Sequence, residues 1–272
     1  MNLSTRTTTM QLRPVGRGPR FGTARTVAAL VLREMTTSYG RSPGGYVWAL
    51  AEPVLGIALL SFIFSIGFRS PLLGTNFPMF YATGLLPFLM FSDLSAKIAQ
   101  SINYSKQLLA YPRVTFIDAI LGRFILNMLT QILVGAIVIM GITLSFDTRT
   151  QCDMGLILAA TALAAALGLG IGTLNCFVMS MFPVWQRIYS ILTRPLLLIS
   201  GVIFTFEAVP EPYRGWLWYN PLIHIVGLLR AGFYPSYSAS YVSPIYVCAI
   251  AVGAASFGLL FLRRYHRDIM EL

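Results

Sequence analysis

Two stretches of this chain, Phe124 to Phe146 and Met154 to Gln186, carry no charged residue at all. A helix needs about 20 mainly apolar residues to cross about 30 Å of hydrocarbon, and both stretches meet that length. The medium in which the chain folds follows from this spacing. Composition agrees: of 272 residues, 56% are hydrophobic and 11% charged, with a mean hydropathy of +0.69, where a soluble domain is roughly a quarter charged. The net charge of +10 would point to nucleic acid in a soluble chain. In a membrane protein it is explained by topology, and no nucleic-acid partner is expected.

Distances between charges divide the chain into six spans. Tyr46–Phe68 (with Glu52 near its start), Phe77–Ser92, Phe124–Phe146 and Met154–Gln186 are the first four, and Pro244–Leu262 is the sixth. The fifth, Ile188–Phe206, is interrupted by Arg194, which can snorkel to the cytoplasmic face or line a polar path. Parity favours counting it. With six spans both termini are cytoplasmic, and sixteen of the 20 Lys and Arg fall inside, leaving only Arg69, Arg149, Arg214 and Arg230 outside, as the positive-inside rule requires.

Two further segments read as helices that do not cross. Within residues 24–41, Val27, Leu30, Val31 and Met35 share one face, the pattern of a helix lying in the inner headgroup layer. After Trp216, Trp218 and Tyr219, Asn220-Pro221 is a start signal for an apolar run to Leu229 that is too short to span. This predicts a short helix re-entering from, or lying on, the outer surface. Residues 1–23 read as a disordered cytoplasmic tail, with arginines where a cleavable signal would need its apolar core. The expected fold is an all-α polytopic membrane protein, with a transmembrane domain over residues 46–265.

Chemistry is conspicuous by what is missing. Neither Lys97 nor Lys106 follows a glycine-rich loop that could cradle nucleotide phosphates. No Ser/His/Asp order or His-Glu-x-x-His motif suggests catalysis. Cys152, Cys176 and Cys248 make no disulfide framework, and His224 and His266 lack companions for a metal. Asp93, Asp118, Asp147 and Asp153 fall at the expected span ends, which leaves Glu52 as the one acid placed within a span. The plainest role for Glu52 is an ion pair with an arginine near the cytoplasmic interface. The segment Ala96–Val114 mixes polar residues with Tyr104, Leu108, Leu109 and Tyr111, and composition leaves it equally a grip for a partner or an ordinary solvated loop.

Three blocks carry a resemblance. Tyr46-Val-Trp-Ala-Leu-Ala-Glu-Pro53, Phe77-Pro-Met-Phe-Tyr-Ala-Thr-Gly-Leu-Leu-Pro-Phe88 and Trp218-Tyr-Asn-Pro-Leu-Ile-His224, in this order among six spans, resemble the permease subunits of ABC-2 type exporters, most of all the capsular polysaccharide permeases of Gram-negative bacteria. In place of the acid that family often has shortly before its arginine, this chain reads Gly227-Leu-Leu-Arg230. The resemblance implies a multi-pass inner-membrane homodimer with no enzymatic role of its own, carrying two copies of a separate ATP-binding subunit that holds ATP and Mg. Periplasmic and outer-membrane export proteins would receive the polysaccharide. It implies ATPase-contact roles for Arg33, Glu34, Tyr104, Lys106, Leu108, Tyr111 and Arg113, and substrate-path roles for Trp48, Glu52, Phe62, Phe64, Tyr189, Phe204 and Phe206. Rival expectations are an ABC-2 permease for O-antigen, teichoic acid or a drug, an ion-coupled carrier, or a membrane enzyme.

Overall fold

The computed structural model describes residues 22–36, 45–109, 114–148 and 150–271. They form helices joined by turns: α1 (Gly22–Glu34), α2 (Gly45–Gly67), α3 (Phe77–Ala99), α4 (Ser101–Leu109), α5 (Phe116–Ser145), α6 (Met154–Met181), α7 (Val184–Ile199), α8 (Tyr213–Leu217), α9 (Pro221–Phe233) and α10 (Pro244–Glu271). Among the described residues there is no strand. Helices α2, α3, α5, α6 and α10 are long and apolar enough to cross a membrane. The expected tail, residues 1–21 of it, and the stretch 37–44 lie outside the described residues, and α1 continues past Glu34 only as a wide turn through Met35 and Thr36.

At the centre stands α6, against α3 on one side and α10 on the other. Within hydrocarbon there is little hydrophobic gain from bringing two apolar helices together, so close backbone approach and dense packing must hold the bundle. The sequence supplies Gly168, Gly170 and Gly172 at alternate positions. A Cβ on Gly168 would lie 2.9 Å from the Leu94 Cβ, and one on Gly172 2.8 Å from the Ile98 Cβ, both on α3. Gly170 faces the other way and touches the Ala251 carbonyl of α10, while Gly258 of α10 returns the contact against the Leu174 backbone.

Span boundaries differ from those read off the charges. α3 runs past Asp93 to Ala99, because Asp93 accepts a hydrogen bond from Gln131 of α5 and sits 3.9 Å from Lys97. A charge satisfied within the bundle does not end a helix. α5 begins at Phe116, before Arg123, with a capping box: the Asp118 N–H donates to the Thr115 hydroxyl, and the Thr115 N–H to the Asp118 carboxylate at 2.9 Å. α6 stops at Met181, ahead of Pro183, so Gln186 belongs to α7.

The fifth expected span is corrected most. Its helix covers Val184–Ile199 and ends at Ser200, where Gly201 takes a φ of +75°, leaving Phe204 in an irregular stretch and Phe206 in a 3-10 turn. The end of α6 packs its Phe177 ring on Phe261 and Tyr265 near the end of α10, whereas α10 starts beside His224 and Tyr219 at the opposite end of the bundle. The segment around α7 therefore carries the chain from one end to the other.

Helix α9 is capped by Asn220, whose side chain accepts from the Leu222 N–H, and nearly all of its residues are buried. Its start is bonded to Ile199 and Ser200, and the Gly232 carbonyl near its end accepts from the N–H of Asp153, the cap of α6. Both ends of α9 thus lie on the side where α6 and α10 begin.

Candidate functional site

At the end of the bundle where α1 lies, Arg123 gathers three elements. Two turns into α5, its side chain is buried; Nη2 donates to Glu34 Oε1 of α1 at 2.8 Å, and Nη1 donates to the Lys97 carbonyl of α3 at 2.9 Å. The guanidinium carbon lies 4.2 Å from the centre of the Tyr104 ring on α4. Beside it, Gly122 lets α1 approach: a Cβ there would meet the Leu30 Cβ at 3.2 Å. Val27, Leu30 and Val31 are half-buried on this contact, while Leu32 and Met35 remain exposed.

Towards the middle, a cavity of about 500 Å³ opens between α2, α3, α6 and α7, lined by Glu52, Gln100, Gln186, Tyr189 and Arg194 among apolar walls that include Phe88 and Leu197. Tyr189 is anchored by a 2.6 Å hydrogen bond with Ser95. The expected Glu52–arginine pair is not present among the described residues. Glu52 feels the charges of Asp93 and Lys97 and shares the cavity with Arg194. The flanking helices are bare: α7 has no buried residue, and α2 exposes Trp48, Leu55, Leu59 and Phe62.

At the opposite end the segment after α7 folds into an aromatic cap. Phe206 stacks on Tyr241 with centroids 4.0 Å apart, and Trp218 packs against Tyr219, His224 and Tyr246. His224, set aside as a ligand for lack of companions, is fully buried and acts as a staple: Nε2 donates to the Trp218 carbonyl at 2.8 Å, and Nδ1 accepts from the Ser243 N–H at 3.2 Å. Tyr237 donates to Glu207 at 3.0 Å, and burial pushes the Tyr241 hydroxyl up to about 12, so it stays protonated and bonded. Arg230 is buried, and no carboxylate among the described residues bonds to it. It donates to the carbonyls of Phe204 at 2.7 Å and Val202 at 2.9 Å and lies 4.3 Å from the Phe80 ring. A Cβ on Gly227 would meet the Tyr241 hydroxyl, so a larger residue there would displace this ring.

Of the expected path residues, Glu52 and Tyr189 share the cavity; Trp48 and Phe62 lie exposed on α2. Phe64 packs on Phe68 and Tyr81, Phe204 is half-buried, and Phe206 belongs to the aromatic cap. Of the expected contact residues, Arg33, Tyr104 and Lys106 are exposed, and Glu34 turns inward to Arg123. The backbone of Leu108 closes α4, and Tyr111 and Arg113 lie outside the described residues. Sequence reading missed Arg123, His224 and Arg230 as organising residues. Each is a polar residue in or beside an apolar run, which in lipid must find a partner, but nothing local names partners as distant as Glu34 and Phe204.

The fold and site define a multi-pass helical membrane protein with a cleft of mixed polar and apolar lining, flanked by two uncovered helices, and no cluster of metal-ligating side chains among the described residues. The chain belongs to the ABC-2 type transporter family, whose match covers residues 25–234. It is 31% identical to the polysialic acid transport protein KpsM of Escherichia coli, across 88% of this chain and 92% of that protein. It is 26% identical to the capsule polysaccharide export inner-membrane protein CtrC of Neisseria meningitidis serogroup B, and 26% identical to BexB of Haemophilus influenzae, which bears the same description; both alignments cover 90% of this chain and 92% of the relative.

Proposed function

We propose that this chain is the inner-membrane permease subunit of an ATP-driven exporter that moves lipid-linked capsular polysaccharide from cytoplasm to periplasm. It would work as a homodimer above two copies of a separate ATP-binding subunit that binds ATP and Mg, delivering to periplasmic and outer-membrane export proteins. The observation that carries this reading is the cleft of about 500 Å³, with Glu52, Gln100, Gln186 and Arg194 set among apolar walls and flanked by the bare helices α2 and α7. A sugar polymer is long and polar, and no closed pocket of one bundle could hold it. Two copies joined along α2 and α7 would merge their clefts into a continuous passage, in which aromatic and amide side chains contact successive sugars without requiring one hydroxyl pattern.

The proposed topology has six crossings, with α7 as the fifth. Its 16 residues rise about 24 Å, and the irregular stretch to Phe206 completes the crossing. Arg33, Lys97, Lys106, Arg187, Arg263 and Arg264 mark the α1 end as cytoplasmic by the positive-inside rule, which puts both termini inside and makes α9 a re-entrant helix on the periplasmic side. α1, α4 and the residues that follow α4 in the sequence would grip the ATP-binding subunit. Depleting that subunit in the source bacterium should abolish cell-surface polysaccharide while leaving this chain in the membrane. Polymer that persists would refute ATP-driven export, and loss of a different surface polymer, such as O-antigen, would reassign the substrate.

A further inference from the structure

We propose that Arg123 is the transmission residue of the permease, a point at which both elements offered to the ATP-binding subunit are fastened to the transmembrane bundle. This rests on the functional reading above, and goes beyond it by locating where the motion passes.

The geometry is specific. α1 and α4 are separated in the chain by two long helices, and each meets the same guanidinium: α1 through the Glu34 carboxylate at 2.8 Å, α4 through the Tyr104 ring at 4.2 Å. The remaining Nη1 donates to Lys97 at the end of α3. Arg123 itself stands on α5, so one planar group ties α1, α3, α4 and α5. The side chain is buried, which costs free energy that only well-formed partners return. Breaking one partner exposes that cost, so the four elements move together or the ion pair is lost. Rigid coupling of this sort is what a push on α1 or α4 needs if it is to tilt α3 and α5 rather than dissipate in a hinge.

Lysine cannot replace this group. Its ammonium could keep the Glu34 charge, but one point donor cannot also hold the Lys97 carbonyl and lie flat on Tyr104. Arg123→Lys therefore separates charge from geometry. Sequence position explains none of this, since as a topological marker Arg123 would serve equally well as lysine.

The test uses the full complex, expressed with its ATP-binding subunit in the source bacterium. Three quantities are read for wild type, Arg123→Lys and Arg123→Met: the amount of ATP-binding subunit that co-purifies, ATP hydrolysis by the purified complex, and cell-surface polysaccharide. For Arg123→Lys we expect co-purification and hydrolysis at wild-type level with surface polymer down by about fivefold or more, the scale of a typical coupling between sites. Arg123→Met should lower polymer further, and Glu34→Gln should lower it as Arg123→Lys does. Wild-type polymer in Arg123→Lys overturns the inference. So does a fall in polymer that only follows lost co-purification, since Arg123 would then merely shape a docking surface. If the wild-type chain itself retains no ATP-binding subunit, the functional reading fails rather than this refinement of it.

Discussion

Single side chains in this protein matter most where the backbone leaves no room or where a polar group is sealed in. Gly172 and Gly141 are both helical glycines in apolar runs, yet a Cβ on Gly172 would meet Ile98 at 2.8 Å, while one on Gly141 would meet nothing within 4 Å. Gly172→Leu should destabilise the protein by about 1–3 kcal/mol through overpacking, and Gly141→Leu should be close to neutral. Thermal unfolding of the two variants in detergent checks the contrast. Arg230 offers a second test. Replacing it with methionine keeps bulk but strands the Val202 and Phe204 carbonyls, and each buried orphan costs about 1–3 kcal/mol. The expected outcome is a lower unfolding temperature, with proteolysis opening first between Gly201 and Ala208.

The elements divide into those that hold the bundle and those left uncovered. α3, α5, α6 and α9 make most of the interior, whereas α2 and α7 contribute few buried side chains. Substitutions on the uncovered pair can therefore change function without unfolding the chain. Trp48→Ala removes a side chain that is 68% exposed, and Tyr189→Ala removes a cavity-lining ring. Each should cut polymer export about two- to tenfold, as expected for one lost aromatic contact, with membrane yield unchanged. On α4, Lys106→Glu reverses the charge of an exposed side chain beside Tyr104; the expected result is loss of ATP-binding subunit from the purified complex, with the transmembrane bundle intact.

For the molecule as a whole, the six-crossing topology and the twofold assembly are tested together. Reagents that cannot cross the inner membrane should leave tags on both termini unmodified in intact cells and modify both after permeabilisation. A cysteine at Trp48, in a chain whose Cys152, Cys176 and Cys248 are replaced by serine or alanine, should cross-link two copies if the α2 faces meet. Termini labelled from opposite sides would overturn the topology, and a chain that stays monomeric under oxidation would count against the shared passage.

The sequence alone determined the solvent, the helical class, the five membrane-length helices to within a turn or so at most ends, the Asn220-Pro221 start of α9 and the family. All of these follow from local quantities: charge spacing, apolar length and cap residues, which act over one or two helical turns. Only the tertiary structure decided that Asp93 and Arg123 sit inside helices, that α7 stops at Ile199, that Glu34 faces Arg123, and that Glu52 shares a cavity with Arg194. For Asp93, Glu34 and Arg123 the physical reason is the same. In a medium without water, a polar side chain is placed by the partner that satisfies it, and Gln131, Arg123 and Lys97 lie dozens of residues away along the chain.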